Sequence, residues 1–316
     1  MKVIYVAGRD QFPFKKPFLA IGIFDGVHHG HQMLIGQVVR KARAAGGTSV
    51  VMTFDPHPVH VLHPQIDCPL LVSVVHRLKL IEALGVDVCL VIRFTKKFSH
   101  LTPEQFIQNY LVPRIHPQEV FLGDDFRFGQ NRSGGLDFLK EAARQYGFKV
   151  NIVSAVKFHK ERISSTRIRK LIADGKFFAA GRLLGRRVSI LGRVVKGDSR
   201  GRKLGFPTAN LECGCDPLIP PGVYMVYATL DKNKFKGIAN VGFRPSFYKR
   251  EEKILFEVHI LDFHQNIYGR EMIVEIIQKL RDEKEFLTQE ALIAQIKADE
   301  IKARRYFQNQ SPSFRK

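Results

Sequence analysis

Two different rhythms of apolar residues divide this chain near residue 185. Before that point, short β-rich runs alternate with helix-like stretches. The runs are FLAIGIF (18–24), TSVVMTF (48–54), VDVCLVIRF (86–94), EVFLG (119–123) and FKVNIV (148–153). Between them lie segments such as HGHQMLIGQVVRKARAAG, VVHRLKLIEALG and GGLDFLKEAARQYG, closed by glycine as helices often are. Continuous apolar strands separated by helices predict a parallel sheet covered on both faces, a Rossmann-like α/β layer. After residue 185 the runs LLGRRVSILGRVVKG, GVYMVYATL, KFKGIANVGF, ILFEVHILDF and EMIVEIIQKL are separated by turns instead. That texture predicts an antiparallel sheet or small β-barrel, and TQEALIAQIKADEIKARRYF, opening on a Thr cap, predicts a closing helix. Two domains are therefore expected, 1–185 and 186–316.

Composition narrows the setting. No apolar run approaches the roughly 20 residues that span a bilayer, and the apolar stretch in MKVIYVAGRDQF is too short for a signal peptide. Four cysteines, Cys68, Cys89, Cys213 and Cys215, are too few for a disulfide scaffold in 316 residues. Both points lead us to expect a cytoplasmic protein without a membrane partner. The formal charge of +20 invites a nucleic-acid reading. It is spread, however, with 26 basic against 14 acidic residues up to residue 185 and 24 against 16 after it. No basic tail concentrates it, so no nucleic acid is expected as partner, and ligands rich in phosphate would use the same charge.

The stretch FDGVHHGHQ (24–32) puts three histidines where an apolar strand ends and a helix begins. A helix N-terminus offers unpaired amide donors and about half a positive charge, which suits phosphate. With the helix starting near His28, the His28 and His31 side chains share a face, Gly30 lets a ligand approach the backbone, and His29 points elsewhere. Two readings compete: histidines that only cap a surface helix, and a zinc site with His57, His60 and His63 as further ligands, although zinc helices usually space histidines four apart. Downstream, ISSTRIRKLI (163–172) places hydroxyl residues before a helix that carries Arg167 and Arg169, a second phosphate-binding helix start.

Together GIFDGVHHGHQ and ISSTRIR resemble the nucleotidyltransferase superfamily. FDPHP (54–58) and GDDFRFGQNRSG (123–134) narrow the resemblance to the adenylyltransferase domain of the prokaryotic bifunctional riboflavin kinase/FAD synthetases. The resemblance implies attack of the FMN phosphate on the α-phosphorus of ATP, giving FAD and pyrophosphate, with Mg2+ as cofactor. By it, His28, His31 and Arg169 are catalytic. Gly22, Phe24, Asp25, Gly30, Asp125, Ser164, Ser165 and Thr166 would meet ATP and its phosphates, and Phe54, Pro56, Pro58 and Phe128 the flavin. The segment VSVVHRLKLIEALG (72–85) departs from the family in lacking an acidic pair at its start.

In the second half, GDSRGRKLGFPTANL (197–211) is glycine-rich and basic without being a Walker A motif. In an extended segment Thr208 and Asn210 share a face, so a hydroxyl and an amide oxygen can meet one cation. Both are neutral, which suits magnesium that takes its negative ligands from nucleotide phosphates, although PTAN by itself fits a turn as well. In LFEVHILDF (255–263) alternation sets Glu257 and His259 opposite Phe256, Val258 and Ile260. PTAN, EVHILDF, YG and LRDEKEF resemble the riboflavin kinase domain of the same family. This implies γ-phosphoryl transfer from ATP to the ribityl 5′-hydroxyl of riboflavin, with Glu257 as base and Thr208 and Asn210 on the metal. Gly197, Gly201, Lys203 and Gly205 would wrap the nucleotide, Arg281 and Phe286 would lie near the flavin, and His259 is expected to be structural. Ser246 in NVGFRPSF stands where the family usually has Thr. Riboflavin, FMN, FAD and ATP are the expected small-molecule partners. Nicotinate-nucleotide or pantetheine-phosphate adenylyltransferases share the histidine motif but leave PTAN and EVH unexplained.

Overall fold

The apolar runs of the first half line up as parallel strands. In the computed structural model, which describes residues 1–6, 11–159, 161–197, 201, 204–244 and 253–309, contacts divide the chain into two units. One comprises residues 1–68 and 74–165, the other residues 69–73 and 166–316.

The first unit is built on β1 (Lys2–Val6), β2 (Pro17–Ile21), β3 (Thr48–Asp55), β4 (Val88–Arg93), β5 (Glu119–Gly123) and β6 (Lys149–Val153), in the order β1-β4-β3-β2-β5-β6. Every neighbouring pair is parallel. Helix α1 (His29–Ala44) packs Ile35, Val38 and Ala42 against Ala20, Val51 and Cys89 on one face. Leu19, Val50, Met52 and Leu90 face the other way, toward Phe106, Leu111 and Leu139. Both faces are thus covered, which explains strands that read as continuous apolar runs. The chain winds outward from β2 through β3 to β4, then returns to place β5 on the other side of β2. Loops leaving β2 and β5 therefore diverge at a topological switch point, the crevice where open α/β sheets bind ligands. The histidine turn follows β2 and GDDFRFG follows β5.

Two features depart from the expected pattern. The run 18–24 stops being a strand at Ile21, because Phe24 turns left-handed with φ 53°. MKVIYV, passed over in sequence, is the edge strand β1, where Val3 and Tyr5 are exposed. Helices α2 (Pro58–Leu62) and α3 (Val74–Glu82) lie between β3 and β4. Short pieces follow β4: α4 (Lys96–Ser99), α5 (Pro103–Phe106), a π-turn over Ile107–Leu111 and α6 (Val112–Ile115). After β5 come α7 (Leu136–Tyr146), and, past β6, the two-residue strands β7 (Lys157–Phe158) and β8 (Glu161–Arg162).

The second unit opens with α8 (Ser165–Ala173, from Thr166 on) and α9 (Phe177–Leu184). A closed antiparallel barrel follows: β9 (Ser189–Val195), β10 (Ala209–Cys213), β11 (Gly222–Leu230), β12 (Asn233–Arg244), β13 (Lys253–Ile260) and β14 (Glu271–Arg281), in the order β10-β13-β12-β11-β14-β9. Closure removes sheet edges, which a small domain of short strands needs. The closing helix α10 (Gln289–Asn309) is capped by the Thr288 hydroxyl, which accepts from the Ala291 N–H at 3.2 Å. It lays Ala303 and Phe307 against Val223, Met225, Ile238 and Leu261. Among the described residues no helix is long and apolar enough to cross a membrane, and all four cysteines are free.

Candidate active sites

The turn after β2 folds tightly, with φ of 53° at Phe24, 73° at Gly26 and 40° at Val27. It ends on His28, the N-cap of α1, whose Nδ1 accepts the His31 N–H at 3.3 Å. A ring nitrogen that accepts carries no proton, so this bond places a His28 ring proton on Nε2. The His28 and His31 rings stack with centroids 3.5 Å apart, and Phe24 meets His31 edge-on at 5.3 Å. The two histidines therefore share a face, as their spacing predicts, while His29 is exposed. Gly30 lies against His28: a Cβ there would come within 3.3 Å of the ring. The His31 imidazole is held well below its ordinary pKa of 6.5, first by burial, then by the neighbouring charges of His28 and Arg77. It is consequently neutral at physiological pH. Phe24 and Asp25 are buried beneath the turn, the Phe24 ring lying over Gly22, so both shape the turn from below.

Ser165, the first residue of α8, donates its hydroxyl to the Asp25 carbonyl at 3.1 Å. This bond fastens the ISST segment to the histidine turn, two motifs 140 residues apart. Ser164 is half-buried and Thr166 exposed. One helical turn on from Ser165, Arg169 donates Nε to the Pro69 carbonyl at 2.7 Å. Asp125 pairs with Arg162 at 2.7 Å, and the same guanidinium reaches Asp124 at 2.8 Å, tying the loop after β5 to β8.

Past β3, Phe54 is half-buried, Pro56 exposed and Pro58 half-buried at the start of α2. Phe54 lies 5.9 Å from Phe94 and 6.0 Å from Phe98 by ring centroid. The cluster continues through Phe106 to Phe128, 5.5 Å apart, and on to Phe126 and Phe138. Such a bank of rings at the carboxyl ends of β3 and β4 suits a flat aromatic ligand.

In the barrel, register brings the second set of residues together. Asn210 on β10 stands opposite Glu257 on β13, and Glu257 opposite Asn240 on β12. Directly paired residues share a face, so the three side chains form one polar row on the outside of the barrel. His259 accounts for the placement of PTAN: its Nδ1 donates to the Pro207 carbonyl at 2.8 Å. The glycine loop lies against this segment. A Cβ on Gly197 would collide with the Asn210 amide, and one on Gly201 would reach the Thr208 hydroxyl at 3.1 Å. Gly205 has φ 86°, whereas Lys203 and Ser246 lie outside the described residues. Arg281 is paired with buried Asp299 of α10 at 2.8 Å and lies 5.8 Å from the Phe286 ring. Among the described residues no three His, Cys, Asp or Glu side chains cluster as a metal site, so the zinc reading has no support.

The two stretches of chain that carry these residues match known families. The FAD synthetase family is matched over residues 13–167 and the riboflavin kinase family over residues 184–307. A bifunctional riboflavin kinase/FMN adenylyltransferase of Buchnera aphidicola subsp. Schizaphis graminum is 38% identical over 92% of this chain and 93% of its own. One of Listeria monocytogenes is 38% identical over 97% and 98%. The chain belongs to the bifunctional riboflavin kinase/FMN adenylyltransferase family. It is a transferase of flavin-cofactor synthesis, with a kinase and a nucleotidyltransferase domain. A crystal structure named a macrolide-efflux protein, from Streptococcus pneumoniae, is 33% identical and covers 96% of this chain and 99% of that one, with TM-score 0.81.

Within this family frame the sequence reading missed Phe98, Phe106 and Phe126 of the ring bank, Asn240, and Arg77. The rings were visible as an excess of Phe between residues 94 and 138. Asn240 and Arg77 gave no local signal, because strand register and a tertiary hydrogen bond placed them.

Proposed function

We propose that residues 1–185 carry the adenylyl transfer from ATP to FMN and residues 186–316 the phosphorylation of riboflavin, in the cytoplasm. The observation that carries the first assignment is the stacked pair of His28 and His31 at the start of α1, with the His31 imidazole held neutral by burial, joined through Ser165 to the ISST segment. The nucleophile, a phosphate, is already an anion at neutral pH, so no protein base is required. What the site must supply is position and donors for charge that builds on the ATP phosphates. His28 donates from Nε2, His31 buttresses it, and the first amides of α1 add the field of a helix start. Ser164, Ser165 and Thr166 bind phosphate oxygens, and Arg169 meets the charge of the departing pyrophosphate. Gly22 and Gly30 let the nucleotide approach the main chain, and Asp125 borders it. Phe54, Pro56, Pro58 and Phe128 hold the flavin.

In the barrel, Glu257 orients the ribityl 5′-hydroxyl and takes its proton late, since a carboxylate is a weak base for an alcohol and orientation supplies much of the benefit. Thr208 and Asn210 fit magnesium: both offer neutral oxygen, Asn210 is hemmed in by Gly197, and this ion keeps few protein ligands when phosphates supply the charge. When bound, magnesium neutralises charge on the nucleotide phosphates. Gly197, Gly201, Lys203 and Gly205 cover the nucleotide, and Arg281 and Phe286 border the flavin.

The test is to incubate the full chain with riboflavin, ATP and magnesium and to separate the flavins by chromatography with fluorescence detection. FMN followed by FAD is expected, and chelation should abolish both. FMN without FAD would remove the assignment of His28 and His31. The absence of both products from folded protein would remove the whole reading.

A further inference from the structure

Helix α3 contributes no residue to either proposed site, yet it sends a charged side chain beneath one of them. Arg77 is 3% exposed. Its Nη1 donates to the Ile23 carbonyl and its Nη2 to the Phe54 carbonyl, each at 2.8 Å, while Nε is buried with no acceptor. Thr53 donates its hydroxyl to the same Ile23 carbonyl at 2.9 Å. These bonds lie where the sheet gives out. Strands β2 and β3 are paired to Ile21 and Met52, and the Gly22 N–H reaches the Met52 carbonyl at 3.1 Å. Beyond that point one chain enters the left-handed histidine turn at Phe24 and the other enters Asp55–Pro58.

Packing alone does not account for an arginine here. A buried guanidinium gives up its hydration, and Leu or Met would fill the volume without that loss. What only arginine supplies is a rigid planar fork that reaches two acceptors at once. We infer that Arg77 is a positioning residue for adenylyl transfer, holding the turn that meets ATP and the loop that meets the flavin as one piece. Rigid coupling of this kind sets the distance between two reactants, and a misplacement of about 1 Å can lower a rate by about 100-fold. The inference rests on the proposed ATP and flavin roles of those two segments. Charge is a second, separable contribution. His31 faces His28 on the turn and Arg77 on α3, and Arg77 in turn faces Asp25 and Asp55.

The experiment compares Arg77→Lys and Arg77→Gln with wild type in the full chain, with riboflavin phosphorylation as the internal control of folding. Arg77→Lys keeps the charge and loses the fork. Its adenylyl-transfer kcat should fall about 10- to 100-fold, with KM for ATP and for FMN rising together and the kinase rate within about twofold of wild type. Arg77→Gln should do the same and also move the acid limb of the adenylyl-transfer pH profile upward, since a charge that disfavours imidazolium is gone. Wild-type kinetics in Arg77→Lys, or a change confined to one substrate, would overturn the inference. If the Arg77 variants fail to fold, Thr53→Val carries the same test on the shared carbonyl: a joint rise of both KM values supports it, and unchanged values reject it. His28→Ala, measured alongside, separates the two levels. Full adenylyl transfer in that variant sinks the underlying reading, whatever Arg77 does.

Discussion

At the scale of single residues, the site proposed for adenylyl transfer contains an imidazole that stays neutral inside the protein. His31 has no acceptor or donor for its buried Nδ1, stacks on His28 and is shielded by Phe24. Its folded pKa is depressed from 6.5 by burial first and by His28 and Arg77 after it. The unfolded chain therefore binds a proton more readily than the native one, and stability rises with pH through that window. Its contribution is fully present above about pH 6.5 and is lost as pH falls toward the depressed value, by at most about 1.4 kcal/mol for each pH unit. His31→Gln keeps a polar side chain and removes the titration. Thermal unfolding of both proteins at pH 7.5 and pH 5.5 should show a smaller acid-induced drop in the variant. An equal drop would mean that His31 is charged in the native state.

At the scale of elements, the glycine loop and β10 act together. Gly197 has no room for a Cβ because the Asn210 side chain occupies it, and Asn210 is fixed by pairing with Val195 and Glu257 on either side. Gly197→Ala must displace either the loop or the proposed magnesium ligand. We expect riboflavin phosphorylation to fall about tenfold or more while adenylyl transfer from supplied FMN is unchanged; equal loss of both would point to a folding defect instead. This pairing also marks the limit of what the sequence discloses. Strands β3, β4, β5 and β6, helices α1, α3 and α7 and all the barrel strands but β10 were legible, since alternation or unbroken apolar runs reflect burial directly. Strand β10 was not, because PTANLEC is short, begins after a proline and reads as a turn. Strand β1 was hidden for a different reason: it lies at a sheet edge with Val3 and Tyr5 exposed, so its apolar residues do not follow a burial pattern. Among the proposed site residues, His28, His31 and Ser165 stand out in the sequence because their spacing is local to a helix start. Arg77 was not, since its meaning lies in two carbonyls 23 and 54 residues away.

At the scale of the molecule, each of the two proposed sites has its own folded support. The parallel sheet carries the histidine turn at its switch point, and the closed barrel carries the Asn210, Glu257 and Asn240 row on its outer face. Each is covered by its own helices, α1 and α7 in one case and α10 in the other. A lesion in one set of residues should then leave the other activity standing. Glu257→Gln should lower riboflavin phosphorylation about 100- to 10,000-fold and retain adenylyl transfer, while His28→Ala should do the reverse. The product of the first reaction, FMN, is a dianion at neutral pH and readily enters water. An equimolar mixture of the two variants, given riboflavin, ATP and magnesium, should therefore make FAD, although neither variant does so efficiently alone. FAD should appear after a lag during which free FMN accumulates, and the lag should shorten when FMN is added. If the mixture makes FMN but no FAD, while the Glu257→Gln variant still adenylylates supplied FMN, transfer between the sites would have to occur within one chain.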